Sequence, residues 1–213
     1  MSAVKPWNYE SFPSPQIRAE RCTEILVDLA AGTINAVATA LDPRPIHARM
    51  FGGMTDPGDE YFTGHYRGED FPNLRYYNVM VQGYPEVGVH FTQVEQAMKS
   101  FYQGLSDAFS QNSGGSSTDP KVLFQRIGSA CAALAEFLRV HPFADGNGHA
   151  GRYIVWAFLV RFGIYPRSWP LNQSLPAPYG DLLSRFRAGD RAPLIQYVVN
   201  YALRAKMPVK AHK

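Results

Sequence analysis

The chain is short of cysteine, of charge and of long apolar runs, and each shortage removes a class of protein. Its two cysteines, Cys22 and Cys131, lie far apart and form no metal-spaced pair. Neither a disulfide framework nor a zinc knuckle is expected, and a reducing compartment suits the chain. A net charge of +3 is too slight for a nucleic-acid or anionic-membrane binder. The cations at Arg204, Lys206, Lys210 and Lys213 read as a solvated tail rather than a binding arm. The longest unbroken apolar run, Tyr153–Val160, falls far below the roughly 20 residues that cross a bilayer. Residues 1–16 hold no apolar stretch of the signal-peptide kind, so no cleavable signal is expected. No internal repeat is present. At 46% hydrophobic and 18% charged, 213 residues are enough to bury a full core without staples.

Within those bounds, periodicity predicts a mainly helical domain. Residues 1–15, with their prolines, read as an extended arm. Residues 17–41 repeat apolar positions at helical spacing (Ile25, Leu26, Leu29, Ile34, Val37, Leu41), giving one or two helices with Gly32 as a weak point and "DPRP" as a stop. The Gly-, Pro- and Asp-rich stretch 52–75 reads as a long loop. "YYNVMVQG" (76–83) is the strand candidate, with "VGVHF" (87–91) as its hairpin partner. A helix over 92–110 opens on Thr92 and Glu95 at capping-box spacing. "QNSGGSSTDP" (111–120) reads as a flexible connector with no phosphate-loop lysine. Helices follow over 121–140, from His149 to Gly163, and on both sides of "AGDRAP".

Between the two most apolar helices stands "HPFADGNGHAGR", residues 141–152. Pro142 stops the first helix, and Gly146 and Gly148 permit close backbone approach at the start of the second. The amides at that start attract anions, and Arg152 can offer a guanidinium fork to phosphate oxygens. Asp145 suits a hard cation such as Mg²⁺ held between a carboxylate and substrate phosphates. His141, with an ordinary pKa near neutrality, suits a general base. Singly, each residue has a plain structural explanation: a helix cap, a turn, a surface arginine. A rival reading takes His141, Asp145 and His149, at i, i+4 and i+8, as transition-metal ligands on one continuous helix.

The stretch resembles the Fic (Fido-fold) signature His-Pro-Phe-x-Asp/Glu-Gly-Asn-Gly-Arg-x-x-Arg at every specified position but one. "TGHYR" (63–67) resembles the family's Gly-x-Tyr-Arg segment, "NVMVQG" (78–83) its flap, and the helices on either side of the motif those of the family. The resemblance implies a helical Fido-type bundle with a small β-hairpin flap, divided into an arm and helical extension (1–50) and a Fic-like domain (51–213, core about 60–202). It implies transfer of AMP from ATP to a target-protein hydroxyl. His141 would be the base, Asp145 the Mg²⁺ ligand, Gly146, Asn147 and Gly148 the phosphate nest, and Arg152 a contact to the distal phosphates, with Phe143 as a buried anchor. Asn78, Val79, Met80, Val81 and Gln82 would pair with an extended target segment. The location implied is a bacterial cytoplasm, or a host cell entered as a translocated effector.

The departure is His149, which stands where the signature has its first arginine. A histidine offers a cation only below its pKa, and one lost charge-assisted contact costs about 1.5–3 kcal/mol. Three outcomes stay open: weakened ATP use, another phosphate-containing donor such as UTP, GTP or a choline diphosphonucleotide, or a non-catalytic protein-binding module. No glutamate carries the family's inhibitory Ser/Thr-x-x-x-Glu-Gly/Asn pattern, so regulation by an internal helix of that type is not expected. A separate antitoxin-like inhibitor remains a candidate partner.

Overall fold

A computed structural model of the chain describes residues 5–12, 15–81 and 83–203. Gln82 and the cationic residues from Arg204 onward lie outside these. Eight α-helices form among the described residues. α1 (Pro15–Ala31) stops before Gly32, and α2 (Ala36–Leu41) is capped by Asn35, whose side chain accepts the Ala38 N–H. α3 (Arg44–Phe51) begins where "DPRP" suggested only a stop. A proline breaks a helix interior but suits its first turn, where no N–H partner is lost, and the Asp42 carboxylate accepts the Arg44 N–H at 3.2 Å.

α4 (Val94–Gln111) starts without the expected capping box. Phe91–Gln93 instead wind into a 3₁₀ turn whose cap is the His90 ring, and the Glu95 carboxylate turns outward to Lys99 at 2.7 Å. α5 (Pro120–Val140) takes its cap from Asp119 and carries Pro120 in its first turn. α6 (Asn147–Arg161), α7 (Tyr179–Arg187) and α8 (Ala192–Val198) complete the set, and a single wide turn, Val199–Leu203, extends α8. No described helix is long and apolar enough to cross a membrane.

α5 is the central element, packed on α6 and flanked by α4, α7 and α8, while α1, α2 and α3 cover α6. Its small buried residues let the neighbours approach. At Gly151 of α6, a Cβ would lie 3.0 Å from Leu134 Cδ1 of α5. Trp7, Tyr9, Cys22, Ile25 and Leu29 join the same core, so the described part of the first fifty residues is an integral wall of it. Both cysteines are buried thiols. The 111–120 connector is tied down rather than loose: the buried Arg126 of α5 donates to the carbonyls of Asn112, Gly114 and Gly115 and to Ser117 Oγ.

The flap departs from the expected hairpin. Among the described residues no ladder joins 76–83 to 87–91, and a lone antiparallel bridge, Val81–Tyr84, marks the turn. The reason lies in α5, whose final carbonyls have no partner inside the helix. The amides of the second arm cap them, Gly88 donating to Arg139 O at 2.9 Å and Val89 to Val140 O at 3.3 Å. Those amides are thereby withdrawn from the first arm, which is linked instead by Asn78 Oδ1 accepting the Phe91 N–H at 3.1 Å.

Candidate active site

α5 ends in a left-handed residue, His141 (φ 55°), the one non-glycine among the described residues with positive φ. Its N–H caps the helix by donating to Phe137 O at 2.9 Å. Such strain persists only where the surroundings impose it. They do so here through Arg67, which is 1% exposed. Arg67 Nε donates to His141 O (2.8 Å), Nη2 to Val140 O (3.1 Å) and Val89 O (3.0 Å), and Nη1 to Tyr77 O (3.1 Å). The Arg67 backbone N–H adds a bond to Pro142 O at 2.8 Å. One side chain thus ties the end of α5 to both arms of the flap. Desolvation pulls its pKa down to about 10, so it stays charged at neutral pH.

The His141 ring has a defined tautomer. Nδ1 lies 3.2 Å from Leu138 O, and a carbonyl only accepts, so Nδ1 carries the proton and Nε2 keeps its lone pair. Burial, with the Arg67 and Arg187 charges behind it, lowers its pKa to about 4. The ring is a neutral base at physiological pH. It opens onto an apolar cleft of about 130 Å³ walled by Val81, Tyr84, Val87, Leu138 and Leu183.

The loop after His141 is locked by Asn147. Its Oδ1 accepts the Phe143 N–H and its Nδ2 donates to Phe143 O, both at 2.9 Å. The Asn147 side chain is therefore committed to the loop, which leaves its backbone N–H as the group it could offer an anion. Phe143 is the buried anchor expected, stacked on the His47 ring at 3.8 Å. His47 receives the Gly64 N–H on Nδ1 (3.0 Å), so Nε2 bears the proton and donates to Asp145 O (3.0 Å). Gly146 (φ 74°) admits no side chain: a Cβ there would sit 2.5 Å from the Phe51 ring and 2.8 Å from His47 Nε2.

Asp145 is half-buried, and burial raises its pKa to about 6. The Gly146 N–H, donating at 2.7 Å, and the Tyr9 amide pull the other way. It is mostly ionised at neutral pH, a hard oxygen donor beside the start of α6. No group of three or more His, Cys, Asp or Glu side chains converges among the described residues. The break in the helix between His141 and Asn147 also removes the i, i+4, i+8 alignment that a transition-metal triad needs. A single carboxylate near a phosphate site fits Mg²⁺, which takes one or two carboxylates and draws its other ligands from water and phosphate.

Gly146 is the N-cap of α6 and offers it no side-chain cap. Arg152, 3% exposed, folds back so that its Nη1 would stand 3.1 Å from a Cβ at Gly148. Its Nη2 donates to Leu171 O at 3.3 Å, its Nε is buried without a partner, and no carboxylate pairs with it among the described residues. His149 is 4% exposed, its ring edge-on to Tyr9 and Phe51, each at 5.4 Å. Burial, with the Arg152 and Arg18 charges, pushes its pKa to about 3, and its Nε2 is buried without a partner. His149 is neutral. Of the described flap residues 78–81, Asn78 and Met80 are exposed, Met80 at 95%, and Val81 alone lines the cleft at His141.

A family profile described as Fic/DOC matches residues 42–159, more than half of the chain. The chain belongs to the Fic/DOC family. Among curated proteins, none matches it. Members of this family are generally transferases that move part of a nucleotide onto a protein. The match contains the whole motif, the flap and His47, and leaves out α1, α2, α7 and α8, of which α7 lines the cleft at His141. Sequence reasoning passed over His47, Tyr9 and Arg18, and took "TGHYR" only as a likeness. Nothing local marked Arg67, because Glu69 and Asp70 follow it in sequence and offer ordinary ion-pair partners, yet once buried it donates to four carbonyls instead.

Proposed function

We propose that this Fic/DOC protein transfers the nucleotidyl group of ATP to a hydroxyl side chain of a target protein. One observation carries the reading: a neutral imidazole with a free Nε2 and a buried guanidinium lacking a carboxylate stand at opposite ends of one locked loop. Arg152 and the uncapped amides of α6 would hold phosphate oxygens. Mg²⁺, carried by Asp145, would neutralise charge on the phosphates beside it. His141 Nε2 would take the proton of the target hydroxyl as that oxygen bonds the α-phosphorus. The α,β-bridging bond then breaks and pyrophosphate leaves with its electron pair.

The cleft beside His141 is too small for a nucleotide and matches one target side chain. The backbone of 78–81, without a ladder of its own, is open to pairing with an extended segment. Incubation with labelled ATP, Mg²⁺ and a cell lysate is expected to label protein, and His141→Ala to abolish it. Absence of labelling by both the native protein and a His149→Arg variant overturns the reading. The neutral His149 favours one second reading, a donor other than ATP. A thermal-shift panel of nucleotides with Mg²⁺ separates the two, the donor being the one that raises the melting temperature most.

A further inference from the structure

The motif has lost one cation, at His149, yet a second guanidinium stands over the same site. Arg18, in the second turn of α1, lies over the Tyr9 ring with its guanidinium carbon 4.8 Å from the centroid. The far side of that chain of contacts is His149, whose ring is 5.4 Å from Tyr9. Arg18 Nε is buried without a hydrogen-bond partner, and Arg18 makes no ion pair among the described residues. Its charge is felt at Asp145, His149, Arg152 and Cys22 alike.

Two guanidiniums beside the positive end of α6 repel one another, and Asp145 is the one motif carboxylate near them. Arg152 is buried and Arg18 half-buried, and like-signed cations drawn out of water are stabilised when an anion completes the group. Arg152 Nε and His149 Nε2, both more than nine-tenths buried and both unpartnered at this helix start, are the groups such an anion would meet.

We infer that Arg18, delivered from α1, takes the place of the arginine missing at position 149 and binds the polyphosphate of the nucleotide together with Arg152. This rests on the phosphate-site reading above. It assigns a role to a helix that lies wholly outside the family match. The distinctive consequence is interchangeability: a guanidinium is needed once, from α1 or from the motif.

The test is calorimetric titration of inorganic tripolyphosphate and of MgATP into five forms: native, Arg18→Gln, Arg18→Lys, Arg152→Gln, and Arg18→Gln combined with His149→Arg. Arg18→Gln is expected to weaken both ligands by about tenfold or more, the loss of one charge-assisted contact. Arg18→Lys should retain part of the affinity and the double variant should restore it. Melting temperatures report whether each form is folded, and should the double variant not fold, the contrast between Gln and Lys at position 18 decides. Native-like binding by Arg18→Gln with loss in Arg152→Gln sinks the inference and leaves the phosphate site standing. A loss that neither Arg18→Lys nor the double variant recovers also overturns it. Failure of the native protein to bind either ligand removes the phosphate-site reading and the inference with it.

Discussion

Lowering the pH from 7 to 5 should strip this fold of much of its stability, through histidines held neutral inside it. Burial sets the pKa values of His47 and His149 at about 3 and of His141 at about 4. In the unfolded chain all three return to about 6.5. The unfolded state therefore binds protons first, so the stability these groups allow is full above 6.5 and falls as the pH drops below it. Over the interval from 7 to 5 each costs about 2 kcal/mol, or about 6 kcal/mol together. Asp145 works in the opposite sense. Its carboxyl, raised to about 6, prefers its proton in the folded state and returns about 1 kcal/mol over the same interval. The net loss of about 4–5 kcal/mol is large beside a typical total of about 5–15. His47 is the clearest contributor, because protonating Nδ1 would turn the acceptor of the Gly64 N–H into a second donor. Urea unfolding followed by circular dichroism at pH 7 and 5 measures the difference, and His47→Gln should reduce it by about 2 kcal/mol. A native difference under about 1 kcal/mol, or an unchanged difference in His47→Gln, would refute the reasoning.

Arg67→Met keeps bulk but removes the donors to four carbonyls, one buried and three partly so, and should cost about 3 kcal/mol or more in urea unfolding. Hydrogen exchange at the Gly88 and Val89 amides should accelerate in the same variant, since the arm they hold to α5 loses its clamp. Gly146→Ala should lower the melting temperature by at least about 5 °C, because left-handed backbone and a clash with Phe51 and His47 add to about 2–4 kcal/mol. A melting temperature within about 1 °C of native would show that the ring cluster gives way freely.

What could be read in advance was what depends on neighbours in sequence. The apolar repeat placed α1, α2, α5 and α6, and "HPFADGNGHAGR" located the loop between the last two. α3 escaped because Pro43 and Pro45 read as breakers, although the first turn of a helix tolerates them. The flap was misread for a comparable reason: β-forming residues predict extension, but which carbonyls their amides reach depends on where α5 ends. His47 meets Asp145 across 98 positions and Arg67 meets His141 across 74, separations at which no local pattern survives. The environment of His149 was equally hidden, since its neutrality comes from Tyr9 and Phe51 closing over it.

The Trp7 indole donates to Met54 O at 2.7 Å and stacks on Phe62 at 5.6 Å, while Tyr9 covers His149. The stretch that identifies the family and the stretch that can stand alone in water are thus different lengths of chain. A fragment cut to 42–159 would expose Phe51, Phe62 and the motif helix together, and would report on aggregation rather than on catalysis. In this protein the ancestry is written in the middle of the sequence, and the described segments on either side hold it shut.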